Sequence, residues 1–146
     1  MDYESYREKF FAKPTPEPRF KFRGLHGTTL YFSDYVAAVA YYTRVLGPPA
    51  YVEGQGTRGW RLGNTWLTLL TGKSGNPRNM ELNIIMQTSQ EADRLQAAFI
   101  EAGGVGEPPS DQLMYEPVRF CPLQDPFGTN ILIIYPLPEG SDPISN

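Results

Sequence analysis

Few side chains in this sequence can do chemistry. Its 146 residues hold one histidine, His26, and one cysteine, Cys121. A single cysteine excludes an internal disulfide framework and any cysteine-rich zinc site. Cys121 has no histidine near it in sequence and no helix N-terminus to activate it, so a buried, inert thiol is expected. Glu81 carries more promise. It opens the stretch "MELNIIMQ", where strand alternation sets Glu81, Asn83 and Ile85 on one face and Leu82, Ile84 and Met86 on the other. In "GTTLYF" the same alternation sets Gly27, Thr29 and Tyr31 against Thr28, Leu30 and Phe32. A carboxylate in a largely apolar hollow has its pKa raised and can serve as a general base, with a tyrosine as the acid. Glu81 and Tyr31 are the candidates for that pair. A carboxylate at a strand start can equally stand in water or pair with an arginine such as Arg61 or Arg119. Trp60 and Trp66 could stack on a planar ligand or fill the core, and Tyr115 and Phe120 pose the same choice.

The elements that would position these groups follow from punctuation and periodicity. Residues 1–22 read as an N-terminal extension. Tyr3, Tyr6, Phe10 and Phe11 share a helical face until "KPTPEP" forces an extended path. The main body is residues 23–136. Its first module, 23–72, has the strand "GLHGTTLYFS", Asp34 as a candidate N-cap, the helix "YVAAVAYYTRVLG" and three short strands around "AYVEG", "TRGWRLG" and "TWLTLLTG". After the loop "GKSGNPRN" the order repeats over 79–136. Thr88 or Ser89 caps "QEADRLQAAFIEAGG", and strands are expected around 105–107, "YEPVRFCPL" and "TNILIIYP". Residues 137–146 read as a polar tail. The pattern is βαβββ twice, an α+β chain of two modules whose curved mixed sheets enclose a cavity with the helices outside.

Composition narrows the function classes. Hydrophobic residues are 40%, charged residues 20% and the formal net charge is -3. No Lys/Arg run is long enough to follow a phosphate backbone, so no nucleic-acid partner is expected. No apolar run approaches the roughly 18 residues of a membrane span. The start, "MDYESYREKF", has no signal-peptide core, and a cytoplasmic protein is expected.

Three stretches carry a family resemblance: "TLYFSDYVAAVAYYTRVLG", "LNIIMQTSQEADRLQAAFIEAGG" and "RFCPLQDPFGTNILII". In this order they resemble the vicinal oxygen chelate superfamily of glyoxalase I, bleomycin-resistance proteins and extradiol dioxygenases, over roughly residues 23–136. Metal enzymes of that superfamily hold a divalent ion with His and Glu on the first and last strands of each half. The resemblance maps those places onto Gly27, Thr68, Glu81 and Leu132, of which only Glu81 is a plausible ligand. His26 lies one residue from the first place, and a one-residue offset turns a strand side chain to the other face. No metal and no other cofactor is therefore expected. What the resemblance implies is a metal-independent protein that sequesters a small organic ligand between its modules, with Gly27, Thr29, Trp66, Thr68, Asn83 and Leu132 around the ligand. The alternative is a metal-independent lyase, isomerase or cyclase using Glu81 and Tyr31 as base and acid. A third possibility is a structural or regulatory dimer with a collapsed cavity. A homodimer is expected from the resemblance.

Overall fold

The computed structural model describes residues 1–138. Most of the expected polar tail, 139–146, lies outside the described residues. A short helix, α1 (Tyr3–Phe10), and an extended stretch precede the first strand, β1 (Gly27–Phe32). Then come α2 (Tyr35–Leu46), β2 (Tyr51–Glu53), β3 (Thr57–Leu62) and β4 (Thr65–Thr71). The second half repeats the order with β5 (Glu81–Ile85), α3 (Ser89–Glu101), β6 (Ser110–Gln112), β7 (Val118–Gln124) and β8 (Asn130–Pro136). Each half forms a four-stranded mixed sheet, in the order β1-β4-β3-β2 and β5-β8-β7-β6. In both, the first strand pairs parallel to the last, and the helix provides the crossover that a parallel pair requires.

Alternation along β1 buries Leu30 and Phe32 and leaves Gly27, Thr29 and Tyr31 on the open face. Along β5 it buries Leu82 and Ile84 and exposes Glu81, Asn83 and Ile85. The buried sides of both sheets meet the helices in one continuous core. Phe32, Leu69, Ile84, Phe99 and Ile133 all belong to it. Helix α2 contributes Tyr35, Ala38, Tyr41 and Tyr42, spaced so that one stripe faces inward. Helix α3 contributes Ala92, Gln96 and Phe99. Gln96 is buried without cost, because its Nε2 donates to the carbonyls of Glu107 (2.8 Å) and Pro122 (2.7 Å).

Two local expectations differ from what is found. Thr88 does cap α3, its Oγ1 accepting from Glu91 N at 3.0 Å, but Asp34 makes no capping bond to α2. Asn76 Nδ2 instead donates to Asp34 Oδ2 at 3.4 Å, from the loop that links the modules. The strand expected near 105–107 is only a bridge between Val105 and Gln124, and β6 forms at Ser110–Gln112. Val105 follows Gly103 and Gly104 and precedes "GEPP", which leaves no room to extend a ladder. Among the described residues no helix is long and apolar enough to cross a membrane.

Candidate functional site

The open face of the first sheet is built in rows across the strands. Thr29, Thr68, Gly59 and Tyr51 form one row, and Gly27, Trp66 and Arg61 form the next. Between them lies a recess of about 370 Å³ lined by His26, Thr29, Tyr51, Gly59, Trp66 and Thr68, with Gly27 at its edge. Two glycines shape it. A Cβ on Gly59 would stand 3.3 Å from Tyr51 Cβ and 3.4 Å from Trp66 Cε3, so the bare backbone lets these two aromatic side chains close over it. A Cβ on Gly27 would come within 2.2 Å of the Trp66 carbonyl oxygen. Glycine there is what lets β1 and β4 lie so close.

Trp66 is the pivot of this face. The Tyr51 ring meets it edge-on, 6.3 Å between centroids, and the Arg61 guanidinium lies over it with Cζ 4.7 Å from the ring centre. The Tyr51 hydroxyl donates to Glu53 Oε1 at 2.6 Å, and that bond together with the carboxylate charge raises the phenol above its ordinary pKa. On its other side Trp66 borders a second recess of about 500 Å³, shared with the second module. Asn64 and Thr65 face it from the β3–β4 turn, and Asn83, Ile85 and Gln87 from the far side. The walls therefore combine apolar surface with neutral hydrogen-bonding groups, the mixture small-molecule sites use.

Gly27, Thr29, Trp66 and Thr68 thus come together around the first recess, and Trp66 and Asn83 meet across the second. The other three sequence candidates stand apart. Leu132 is 4% exposed and lines neither recess. Tyr31 is 56% exposed, Glu81 is exposed, and neither lines a recess or makes a hydrogen bond or ion pair among the described residues. Both arginines considered for Glu81 are engaged elsewhere, Arg61 over the Trp66 ring and Arg119 with two aspartates. Arg119 holds Asp93 through Nε and Nη2, both at 3.0 Å, and Asp111 through Nη1 at 3.1 Å. Cys121 Sγ adds a contact to Asp93 Oδ1 at 3.4 Å. Burial, followed by the Asp93 hydrogen bond and charge, pushes the Cys121 thiol up to about 12. Trp60 is a core residue whose Nε1 donates to the Gly47 carbonyl at 2.8 Å.

Tyr51, Gly59, His26 and Arg61 escaped the sequence assignment of the site. Gly59 carried a signal, since a glycine inside the strand "TRGWRL" marks a close approach. Tyr51 and Arg61 became visible only through the β2–β3–β4 register.

The metal places implied by the resemblance do not fit a divalent ion. Gly27 has no side chain and no space for one, Leu132 is buried and apolar, and Thr68 offers a neutral hydroxyl. No group of three or more His, Cys, Asp or Glu side chains gathers among the described residues. One carboxylate and a hydroxyl do not make a coordination set.

Two four-stranded βαβββ sheets with outer helices and a recessed open face define the class. The chain has the glyoxalase/bleomycin-resistance fold. No protein-family model and no curated protein matches the sequence. Among solved structures it is similar to a glyoxalase/bleomycin resistance protein from Albidiferax ferrireducens T118, with a TM-score of 0.66 at 20% identity over 76% of this chain and 98% of that one. A glyoxalase/bleomycin resistance protein/dioxygenase from Nocardioides matches with a TM-score of 0.62 at 18% identity, over 98% of this chain and 97% of that one. A glyoxalase/bleomycin resistance protein/dioxygenase family enzyme from Burkholderia phytofirmans PsJN gives 0.61 at 19% identity, over 77% and 98%.

Proposed function

We propose that this protein is a metal-independent small-molecule-binding protein that holds an organic ligand against Trp66, in the recesses on either side of that ring. The observation that carries the proposal is the recess of about 370 Å³ beside the Tyr51–Trp66 ring pair, with Gly59 in its floor and the hydroxyl pair Thr29 and Thr68 in its lining. The touching rings of Tyr51 and Trp66 supply apolar surface on which a flat molecule can lie, and the threonines orient it. The donor set described above supports metal independence. The enzymatic alternative has less behind it, because Glu81 and Tyr31 lie outside both recesses. We also take the protein to be a homodimer, supported by the exposed aromatic surface of its N-terminal segment. Native mass spectrometry of the purified protein tests the binding proposal. A small-molecule adduct is expected on the wild type and absent from Trp66→Ala, which alters a ring outside the core cluster. An adduct that survives Trp66→Ala unchanged would place the ligand elsewhere.

A further inference from the structure

We propose that the Trp66 recess takes a planar ligand bearing a carboxylate or a comparably compact anionic oxygen group, and that Arg61 recognises that group. This rests on the recess being the binding site. The lining of the first recess is His26, Tyr51, Trp66, two glycines and three threonines, with no carboxylate. The second recess has none either, its polar groups being amides and hydroxyls. Arg61 is directly opposite Trp66 in the β3–β4 ladder, lines neither recess itself but lies over the ring that lines both, is exposed, and its side chain makes no hydrogen bond or ion pair among the described residues. Its one partner is the indole face. Stacking occupies the flat side of a guanidinium and leaves its in-plane N–H fork free. An uncommitted fork, held over the ring that borders the recess, is placed to receive a carboxylate in two hydrogen bonds. The ring of the ligand would then lie toward Tyr51 and the Gly59 floor, with Thr29 and Thr68 within the same row for its polar substituents.

Glu53 is the nearest carboxylate on this face, and it opposes Thr57, four residues along β3 from Arg61. At about 3.4 Å per residue their backbones are about 14 Å apart along the strand. Glu53 also accepts the Tyr51 hydroxyl. The Glu53 carboxylate is thus committed to the Tyr51 side of the recess, and Arg61 is the cation on the Trp66 side.

The test uses three probes of one shape and different charge on the full-length protein: 2-naphthoate, 2-naphthalenemethanol and 2-naphthylmethylammonium, with binding measured by calorimetry at pH 7 and low salt. Naphthoate is expected to bind about tenfold tighter than the alcohol, the scale of one charge-assisted contact, and the ammonium most weakly. Arg61→Gln should bring naphthoate to the level of the alcohol and leave the alcohol unchanged. Equal affinity for all three, or preference for the ammonium, would overturn the anion assignment while leaving the recess as a binding site. A uniform loss of all three in Arg61→Gln would also overturn it, because Arg61 would then serve only to hold Trp66. Binding of none of the three by the wild type would remove the recess as the site and the inference with it.

Discussion

The Tyr42 hydroxyl donates to Asp125 Oδ2 at 2.8 Å and so ties the helix of the first module to the last turn of the second. Asp125 is 3% exposed, and its other oxygen accepts from the backbone N–H groups of Phe127 (2.9 Å) and Thr129 (2.8 Å). One carboxylate therefore shapes the "DPFG" turn and docks it to α2. Tyr42→Phe removes a single oxygen and leaves Oδ2 buried without its donor. A loss of roughly 1–3 kcal/mol is expected, the cost of an unsatisfied buried acceptor. Urea unfolding with an unchanged m-value would report it. A midpoint equal to wild type would mean that the bond contributes nothing net.

Alkali should loosen this core in a defined window. Burial, helped by the Asp125 charge, pushes Tyr41 from its ordinary value of 10.0 up to about 12, and burial pushes Cys121 from 9.0 up to about 12. Folding holds both groups neutral. The stability this supplies is fully present below pH 9 for Cys121 and below pH 10 for Tyr41, and it is lost as pH rises toward 12. Thermal midpoints are expected to be level up to about pH 9 and to fall above it. Cys121→Ala should make the early part of that fall shallower. The native thiol should also resist a disulfide reagent at pH 8 until the protein is unfolded.

Arg119 braces three elements of the second module. It joins Asp93 on α3 to Asp111 on β6 from its own place on β7, with Asp111 6% and Asp93 39% exposed at the side chain. Arg119→Met would strand Asp111 without a counter-charge. The expected cost is roughly 2–3 kcal/mol, less than the ~3–5 of a wholly buried pair because Asp93 keeps contact with water. Asp93 is held below its ordinary pKa chiefly by the Arg119 hydrogen bonds. Its share of stability is therefore present above pH 3.8 and lost as pH falls through the lowered value. Asp93→Asn should flatten the acid side of the stability profile, and an unaltered profile would argue against the bridge.

Why so much of the fold was legible and so little of the site has a physical basis. Strand alternation in "GTTLYF" and "ELNII" and the inward stripes of α2 and α3 are local patterns with fixed periods. Paired with proline and glycine stops, they specify two βαβββ modules. The site depends instead on which strands are neighbours. Tyr51 and Thr29 share a row only because β2-β3-β4-β1 are laid in that order, and Arg61 meets Trp66 only through the β3–β4 register. Neither relation has a sequence period. Leu132 shows the same limit in reverse. Its alternation places it in register with Asn83, but its burial depends on neighbours that no local pattern names.

Gly59 offers a direct handle on the recess. Its missing side chain lets the Tyr51 and Trp66 side chains close over the strand until their rings meet, 6.3 Å between centroids. Contacts of 3.3 Å to Tyr51 Cβ and 3.4 Å to Trp66 Cε3 from an added Cβ require the two side chains to give way by a few tenths of an ångström. Gly59→Ala should therefore cost little stability, about 1 kcal/mol or less, while weakening a flat ligand severalfold. Calorimetry with 2-naphthoate beside a melting curve separates the two effects. Unchanged affinity would show that the ligand does not reach the Gly59 floor.

The N-terminal segment supplies the last prediction. In "PRFKFRGL" cations and aromatics alternate, and Phe20, Phe22 and Leu25 are 69%, 75% and 86% exposed. Among the described residues the two phenylalanine rings make ring contacts only with each other, 6.2 Å apart, and Arg19, Lys21 and Arg23 form no ion pair. Helix α1 buries none of its own residues. Fully covering two phenylalanines is worth about 1.5–3 kcal/mol each, a gain that favours a contact between copies. A homodimer is the expected state, with a light-scattering mass twice the 16.4 kDa of one chain. Phe20→Ser with Phe22→Ser should shift it toward monomer without lowering the unfolding temperature of the isolated chain. A monomer at the highest soluble concentration, or a dimer indifferent to both serines, would detach this segment from assembly.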